Sequence, residues 1–313
     1  MRPTTAAPFR GIALKCLSVL LFIVMAALIK VTAASDTPVP PGQQVFFRSF
    51  FALPVILGWI RWRGSVRAAV RTDRPLGHVC RGVIGTGSMA LGFWALALLP
   101  LPEVTAISYA APLLLVVFAG IFLGEDVRLF RLSMVGLGLV GVLIVLSPQL
   151  TGAATGAPLR ALGAIVALGS AVCTALAHLF IRKLSLTEPT TAIVFWFTIT
   201  STGLSLLTIP FGWVMPDPLT LALLVGIGLI GGIGQICLTS AYRYADASVV
   251  APFDYSSMVF AVLIGWTVFG EVPTLTVLAG AALVVFAGIL IIWREHKLGL
   301  ERAKARRSAT PQG

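Results

Sequence analysis

Charged side chains are scarce in this sequence of 313 residues, and asparagine is absent from it. Asp, Glu, Lys and Arg together make up 11% of the chain, whereas 58% of it is hydrophobic. A soluble domain has about 25% charged residues and a lower apolar content. The composition therefore excludes an ordinary soluble protein and indicates an integral membrane protein.

Cysteine and histidine are few as well, with four and three copies that stand far apart along the chain. No CxxC, HExxH or acidic cluster provides the ligand spacing of a metal centre, and no GxxxxGK[ST] provides a phosphate-binding loop. We therefore predict no disulfide, metal or cofactor. The same absences argue against a membrane-embedded enzyme and against ATP hydrolysis by the chain itself.

Long apolar runs dominate what is present. A hydrocarbon core of about 30 Å is crossed by about 20 helical residues. Division of the chain at its charges, prolines and short polar segments gives ten spans. They are residues 12–33, 44–61, 79–99, 104–123, 131–148, 160–181, 191–211, 219–242, 248–269 and 275–293. The predicted fold is all-α, a polytopic membrane protein with ten transmembrane helices.

Positive charges divide unevenly between the alternate connections. Of the 23 Lys and Arg residues, 20 fall on one side, and these include Lys15, Arg81 and the basic tail 296–313. Only Lys30, Arg48 and Arg160 fall on the other. By the positive-inside rule both termini are cytoplasmic, in a cytoplasmic (inner) membrane. The tail then serves as an orientation signal, or it binds anionic membrane lipid or a partner.

The second half of the sequence repeats features of the first. The stretch "EVTAISYAAPLLLVVFAGIFLGE", residues 103–125, parallels "DASVVAPFDYSSMVFAVLIGWTVFGE", residues 246–271. Each has an acid, then a small or hydroxyl residue, then an apolar span, then Gly-Glu. Because each repeat has five spans, the second enters the membrane from the opposite side, as in the inverted repeats of secondary transporters. We divide the chain into 1–148, 149–295 and the tail 296–313.

These motifs, in this order and spacing, resemble the EamA group of the drug/metabolite transporter superfamily. The resemblance depends on the five-plus-five plan, the "LGE" and "FGE" pair, "FFRSF" in span two and "APFDYSS" in span nine. It implies a carrier of small organic metabolites with a cavity between two helix bundles. Pro112 in span four has its equivalent at Met258, so the resemblance does not assure a kink in the second half.

Of the Asp and Glu residues in the sequence, Asp254 is the one that lies well inside a predicted span. Ionisable residues in a membrane usually face a cavity or a partner and mark a substrate or proton path. Pro252 can open the local helix, while Tyr255 and Ser257 add hydrogen-bonding groups. We predict that Asp254 couples transport to a proton or contacts the ligand. The alternative is a structural acid that is hydrogen-bonded to a neighbouring helix.

Two cations complete the charged candidates. Arg48 could hold a carboxylate or phosphate of the substrate through its planar fork, or it could brace an outer gate. Its depth differs from that of Asp254 by roughly 10 to 15 Å, so we do not predict a direct ion pair between them. Lys30 lies nearer the outer surface and could snorkel. Glu125 and Glu271 each precede a helix, whose N-terminal dipole they could complement.

Weaker candidates complete the list. Gln235 needs a hydrogen-bond partner in the bundle or a wet cavity. Trp94 and Tyr109 could stack on a flat substrate, and His178 could handle protons, although each could equally be a packing residue.

The function predicted from these observations is alternating-access transport, coupled to a proton or driven by exchange. Its substrate would be an amino acid, a riboflavin-like vitamin, a nucleoside or a drug. The alternatives are a channel, an assembly protein or, least favoured, an enzyme. Partners are the small-molecule substrate and membrane lipid, with no nucleic acid and with homo-oligomerisation left open.

Overall fold

The structure is a computed structural model that describes residues 8–63, 66, 70–124, 129–150, 157–184, 187–244 and 251–308. Every regular element within these ranges is helical, which confirms the all-α prediction. The helices of the first half are α1 (Pro8–Ala33), α2 (Pro41–Phe50), α3 (Ala52–Arg63), α4 (Pro75–Leu98), α5 (Leu101–Ser108), α6 (Ala110–Leu123) and α7 (Leu129–Leu150). Those of the second half are α8 (Ala157–Leu184), α9 (Thr190–Leu206), α10 (Pro218–Tyr244), α11 (Ser256–Phe269) and α12 (Leu275–Ser308).

The apolar helical stretches match the ten predicted spans, with α2 and α3 together forming one span and α5 and α6 together forming another. Eight helical stretches in the described residues are long and apolar enough to cross a membrane, and Thr191–Leu206 and Phe253–Phe269 are shorter apolar helices. The chain is thus a multi-pass membrane protein. Span seven was predicted to reach residue 211, but its α-helix ends at Leu206 and a 3-10 turn follows over Ile209–Phe211. Pro210 lies in that turn, where its ring opposes continuation of an α-helix.

Local signals account for several helix ends. The carboxylate of Asp217 accepts hydrogen bonds from the backbone N–H groups of Leu219 and Thr220, and it so caps the start of α10. Gly124 and Gly270 end α6 and α11 with φ of +63° and +65°. This left-handed conformation suits glycine and ends a helix. The glycines of the "LGE" and "FGE" motifs therefore stop their spans.

The most extensive helix packing joins the first half to the second. α1 packs along α10, and α8 packs along α4. α2 contacts α9, and α7 packs along α12. If each helix is replaced by its counterpart in the other half, the α1–α10 pairing becomes the α8–α4 pairing. The α2–α9 and α7–α12 pairings remain the same. The buried core between the helices is apolar and runs through both halves.

Two glycines bring α7 and α12 into close contact. A Cβ atom added at Gly141 would lie 2.8 Å from the carbonyl oxygen of Gly280, and one added at Gly280 would lie 2.6 Å from the carbonyl oxygen of Gly141. Both obstacles are backbone atoms, so neither helix can accept a methyl group without moving. Small residues permit such an approach between membrane helices.

We expect Gly280→Ala to destabilise the protein by about 1 to 3 kcal/mol through overpacking of this crossing. Thermal unfolding in detergent measures the effect. Gly136→Ala is the matched control, because a Cβ atom at Gly136 on α7 meets nothing within 4 Å. Alanine favours a helix over glycine, so this control should unfold at the same temperature or higher. Equal losses in both variants would contradict the close contact.

Glu188 joins the connection before α4 to the start of α9. Its Oε1 accepts hydrogen bonds from the Thr72 hydroxyl and from the Asp73 N–H, both at 3.0 Å. The Nε2 atom of His78 lies 3.8 Å from its Oε2. Burial acts to raise the pKa of Glu188, but the hydrogen bonds from Asp73 and Thr72, together with His78, outweigh it and hold the pKa below its usual value.

A lowered carboxyl pKa stabilises the fold above the ordinary value of about 4.3, and the stabilisation is lost as the pH falls through the folded value. We therefore expect Glu188→Gln to lower the melting temperature at pH 7, and to lower it progressively less as the pH falls through the folded pKa of Glu188. The exposed Asp36, replaced by asparagine, serves as the control. A deficit that persists in acid would show that the charge of Glu188 is not what stabilises this connection.

Candidate functional site

Asp254 lies in a 3-10 helix, Ala251–Tyr255, just before α11. Its Oδ1 atom is 2.6 Å from the Nζ atom of Lys15 on α1. The lysine side chain is 2% exposed, whereas the aspartate side chain is 50% exposed. The pair thus joins a lysine enclosed by protein in the first half to a carboxylate in the second half that remains accessible.

Tyr109 contacts the same segment from the other side. Its hydroxyl is 2.6 Å from the Ser257 hydroxyl, and the Ser257 hydroxyl can donate to the Asp254 carbonyl at 2.7 Å. The Tyr109 O–H also lies 3.3 Å from the Tyr255 carbonyl, to which it can donate, so either hydroxyl can be the donor in the Tyr109–Ser257 contact. The rings of Tyr109 and Tyr255 meet edge to face, with centroids 5.2 Å apart. These contacts join α5 of the first half to the 3-10 helix and α11 of the second.

The helical ladder is interrupted beside this cluster in both halves. α5 ends at Ser108 and α6 begins at Ala110, so the break falls at Tyr109. Pro112 lacks the amide that would bond to the carbonyl four residues earlier. The second half has its change from 3-10 to α-helix at Tyr255, although Met258 stands where the first half has its proline. A break is therefore present in both halves, with a proline at that place in only one.

A second ion pair lies at the opposite end of α1. The Nζ atom of Lys30 is 2.6 Å from Oε1 of Glu271 and donates to the Leu99 carbonyl at 2.7 Å. Oε2 of Glu271 accepts a hydrogen bond from the N–H of Leu101, the first residue of α5. Lys30 is 16% exposed, so it pairs within the protein and does not snorkel. Glu271 was predicted to complement the N-terminus of the following helix, α12, but it contacts the N-terminus of α5. Glu125 lies outside the described residues.

Arg48 is 5% exposed, and its Nε atom has no hydrogen-bond partner among the described residues. Its guanidinium carbon is 5.9 Å from the centre of the Phe197 ring. Asp254 pairs with Lys15, and no ion pair joins it to Arg48 in the described part of the chain. Gln235 is half-buried on α10, one turn from Gly231, whose neighbours are Met25 and Arg48. Residues four apart share a helix face, so Gln235 faces the same side of the bundle.

The remaining two candidates are exposed. His178 on α8 lies within the electrostatic reach of Lys15 and Arg81. Trp94 on α4 is 41% exposed, and over the described ranges it has no recorded hydrogen bond or ring contact. The structure thus brings Asp254, Tyr255, Ser257 and Tyr109 together and places Lys30, Arg48, Gln235 and His178 near other charges. Trp94 is not joined to them.

Sequence reasoning missed two cations that are buried inside the helix bundle. Lys15 and Arg81 were counted as charges outside the membrane, but both lie within helices that could span it. They are 2% and 8% exposed. The signal in the sequence was weak, because the predicted spans begin at residues 12 and 79 and leave each cation less than one helical turn inside its span. Within the described ranges, no three His, Cys, Asp or Glu residues are grouped so as to hold a metal ion.

Comparison with known proteins gives a consistent result. Residues 9–147 and 161–294 each match the EamA-like transporter family. The chain is 32% identical over 285 residues to the pseudopaline exporter of Pseudomonas aeruginosa, with 90% of this chain and 95% of the exporter covered. It is 31% identical to the riboflavin transporter of Vibrio cholerae, over 80% of this chain and 83% of that protein.

Another relative and a solved structure are also similar to this chain. An S-adenosylmethionine uptake transporter of Rickettsia felis is 27% identical, over 82% of this chain and 84% of that protein. A crystal structure with a TM-score of 0.63 and 22% identity covers 91% of this chain and 98% of its own, and it supports the fold alone. All three relatives named above are transporters. Since the two matched stretches include most of the sequence, the chain belongs to the EamA-like transporter family.

Proposed function

We propose that this small-molecule transporter moves an organic metabolite across the cytoplasmic membrane by alternating access. The observation that carries the proposal is the cluster around Asp254, where Lys15 and Tyr109 of the first half meet Asp254 and Ser257 of the second. Charged and hydroxyl groups that join two helix bundles inside a membrane are costly unless they are used. Their contacts must change when the bundles move against each other.

The two halves are 1–148 and 149–295, with both termini in the cytoplasm. The family match to two separate stretches supports this division. The exchange of helix pairings between halves supports a two-fold relation between them, and five spans per half make that relation an inverted one. Two similar bundles that are inverted in the membrane can rock about a site near its middle.

Asp254 is the coupling residue in this proposal. Its half-exposed carboxylate can take up a proton or meet a cationic group of the substrate, and either event weakens its attraction to Lys15. The attraction that holds Lys15 of α1 to this segment would then be weaker, which favours a rearrangement of α1. Tyr109 and Ser257 orient the segment that carries the carboxylate.

Lys30 and Glu271 hold the other end of the interface closed. The pair joins the end of α1 to the end of α11 and to the first amide of α5. Under the proposed orientation this end faces the periplasm. Substrate exchange with that side therefore requires the pair to separate.

Amino acids, riboflavin-like vitamins, nucleosides and drugs are the candidate substrates. The relatives carry pseudopaline, riboflavin and S-adenosylmethionine, by an exporter in one case and an uptake transporter in another. Kinship therefore does not select a direction of transport.

A thermal-shift screen of the purified protein against a metabolite library, followed by flux measurement in proteoliposomes, tests the proposal. We expect at least one metabolite to stabilise the protein and to accumulate in vesicles by counterflow. Net flux of that metabolite should respond to an imposed pH gradient if Asp254 exchanges protons. Conductance without saturation by substrate would instead identify a channel.

A further inference from the structure

Two buried arginines meet at one aromatic ring. Arg48 on α2 and Arg81 on α4 are 5% and 8% exposed. Their guanidinium carbons lie 5.9 Å and 3.8 Å from the centre of the Phe197 ring on α9. The ring of Phe197 attracts both cations through its π face, but such contacts contribute only about 0.5 to 2 kcal/mol.

Neither guanidinium has a carboxylate partner among the residues that the structure describes. Within this part of the chain, Asp254 pairs with Lys15, Glu271 pairs with Lys30, and no acid forms an ion pair with Arg48 or Arg81. The Nε atoms of both arginines and Nη1 of Arg81 are buried and have no hydrogen-bond partner in the described ranges. Arginine does not lose its proton in proteins, so two unbalanced positive charges are enclosed here.

The two arginine side chains lie next to glycines, which have no side chain that would fill the space. A Cβ atom added at Gly85 would overlap Nη1 of Arg81 and would lie 2.9 Å from the Phe197 ring. One added at Gly231 would lie 3.4 Å from Nε of Arg48. The arginine side chains therefore lie against the helix backbone at these glycines, together with Phe197 at Gly85 and Met25 at Gly231.

The depth of the two arginines places their head groups near the middle of the membrane. Arg48 is seven residues from the start of α2 and Arg81 is six from the start of α4, about 10 Å along each helix axis. Under the proposed topology these two starts lie on opposite membrane faces. The arginines thus approach the same ring from opposite membrane faces. Arg81 lies at about the depth of Lys15, which is seven residues from the start of α1, and Arg48 lies deeper than Lys30, which is three residues from its end.

We propose that Arg48 and Arg81 bind an anionic oxygen group, a carboxylate or phosphate, of the transported metabolite. The fork of N–H donors on each guanidinium matches such groups and forms strong charge-assisted hydrogen bonds with them. This inference rests on the proposed function and specifies its substrate class. In this conformation the pair is enclosed, so the anion enters when one end of the interface opens.

The proposal predicts the sign of a stability change. Removal of an unpaired buried charge relieves a cost, whereas removal of a bracing residue would create one. Arg81→Met should therefore unfold at a higher temperature than the wild type in a buffer without carboxylates or phosphate. The same substitution should weaken anion binding at least about tenfold, the effect of losing hydrogen bonds to a charged group.

The experiment measures thermal unfolding of the full chain in detergent with succinate, inorganic phosphate or sodium chloride at equal ionic strength. We expect succinate or phosphate to raise the wild-type melting temperature beyond the chloride value. Arg48→Met and Arg81→Met should abolish that rise. Arg71→Gln, at an exposed position, is the control and should retain it. Arg81→Lys retains the charge without the fork and should show a reduced rise.

Equal effects of all three anions on the wild type, or an unchanged anion effect in both methionine variants, would overturn the inference. If a methionine variant does not fold, Arg81→Lys provides the comparison, and a full anion effect there would count against the site. Binding in detergent needs no membrane gradient. A failure of the transport proposal would therefore leave anion binding intact, and a failure of anion binding would leave flux intact.

Discussion

Asp254→Asn is expected to lower substrate flux in proteoliposomes at least about tenfold, because a neutral amide can neither exchange a proton nor balance Lys15. The lysine is 2% exposed and would lose its carboxylate. Breaking a fully buried ion pair costs about 3 to 5 kcal/mol. Because Asp254 is half exposed, we expect Asp254→Asn to lower the free energy of unfolding by about 1 to 3 kcal/mol.

A double variant separates coupling from folding. Lys15→Met together with Asp254→Asn removes both charges and should recover most of the lost stability while flux stays low. Retention of stability without flux would show that the carboxylate acts in transport and not only as a structural acid. Wild-type flux with its pH dependence intact in Asp254→Asn would remove the residue from the mechanism.

Glu271→Ala is expected to open the end of the interface that Lys30 closes. The substitution removes the ion pair and also the acceptor of the Leu101 N–H. Thr105, one turn further along α5, is buried in the closed structure. A cysteine placed there should react with a membrane-impermeant maleimide at least about tenfold faster in the Glu271→Ala background, as the population of the open state rises.

The labelling needs a chain without its four native cysteines. Asp36→Cys, in the exposed connection beside Lys30, marks the side from which reagent enters. Lys30→Met should increase the labelling of Thr105→Cys in the same way. Glu271→Gln, which retains an oxygen for the Leu101 amide, should have a smaller effect. Equal labelling rates in all four backgrounds would show that this ion pair does not control access.

Span positions could be predicted because hydropathy and length are local properties. The predicted span 131–148 corresponds to Leu129–Pro148, and the predicted span 275–293 corresponds to Leu275–Arg294. Prolines, glycines and charges at the ends explain the small differences. Tertiary contacts have little effect on a boundary that the membrane thickness sets.

The partners of the charges could not be predicted in this way. Lys15 and Lys30 precede Asp254 and Glu271, which stand just before and just after α11, by more than two hundred residues. Sequence separation does not say which helices pack. Arg81 was assigned to a basic loop because five other arginines stand just before it. Its enclosure becomes visible only when α2, α4 and α9 are placed together around Phe197.

The break in the second half was only partly indicated by local sequence. Pro112 marks the interruption at Tyr109, whereas Met258 gives no such signal at Tyr255, and Pro252 alone indicated that the local helix could open. The two tyrosine rings pack edge to face, and the Tyr109 hydroxyl contacts the Ser257 hydroxyl. Contacts between the halves therefore add to this local preference in stabilising the irregular segment.

α1 has a lysine near each end, and each lysine is tied to the opposite half of the molecule. About 22 Å of helix separates the two attachments. In the proposed mechanism, release of one ion pair leaves the other as the pivot about which α1 tilts, so one helix links the two ends of the interface. Simultaneous release would cost both ion pairs at once, which disfavours a continuous leak through the membrane.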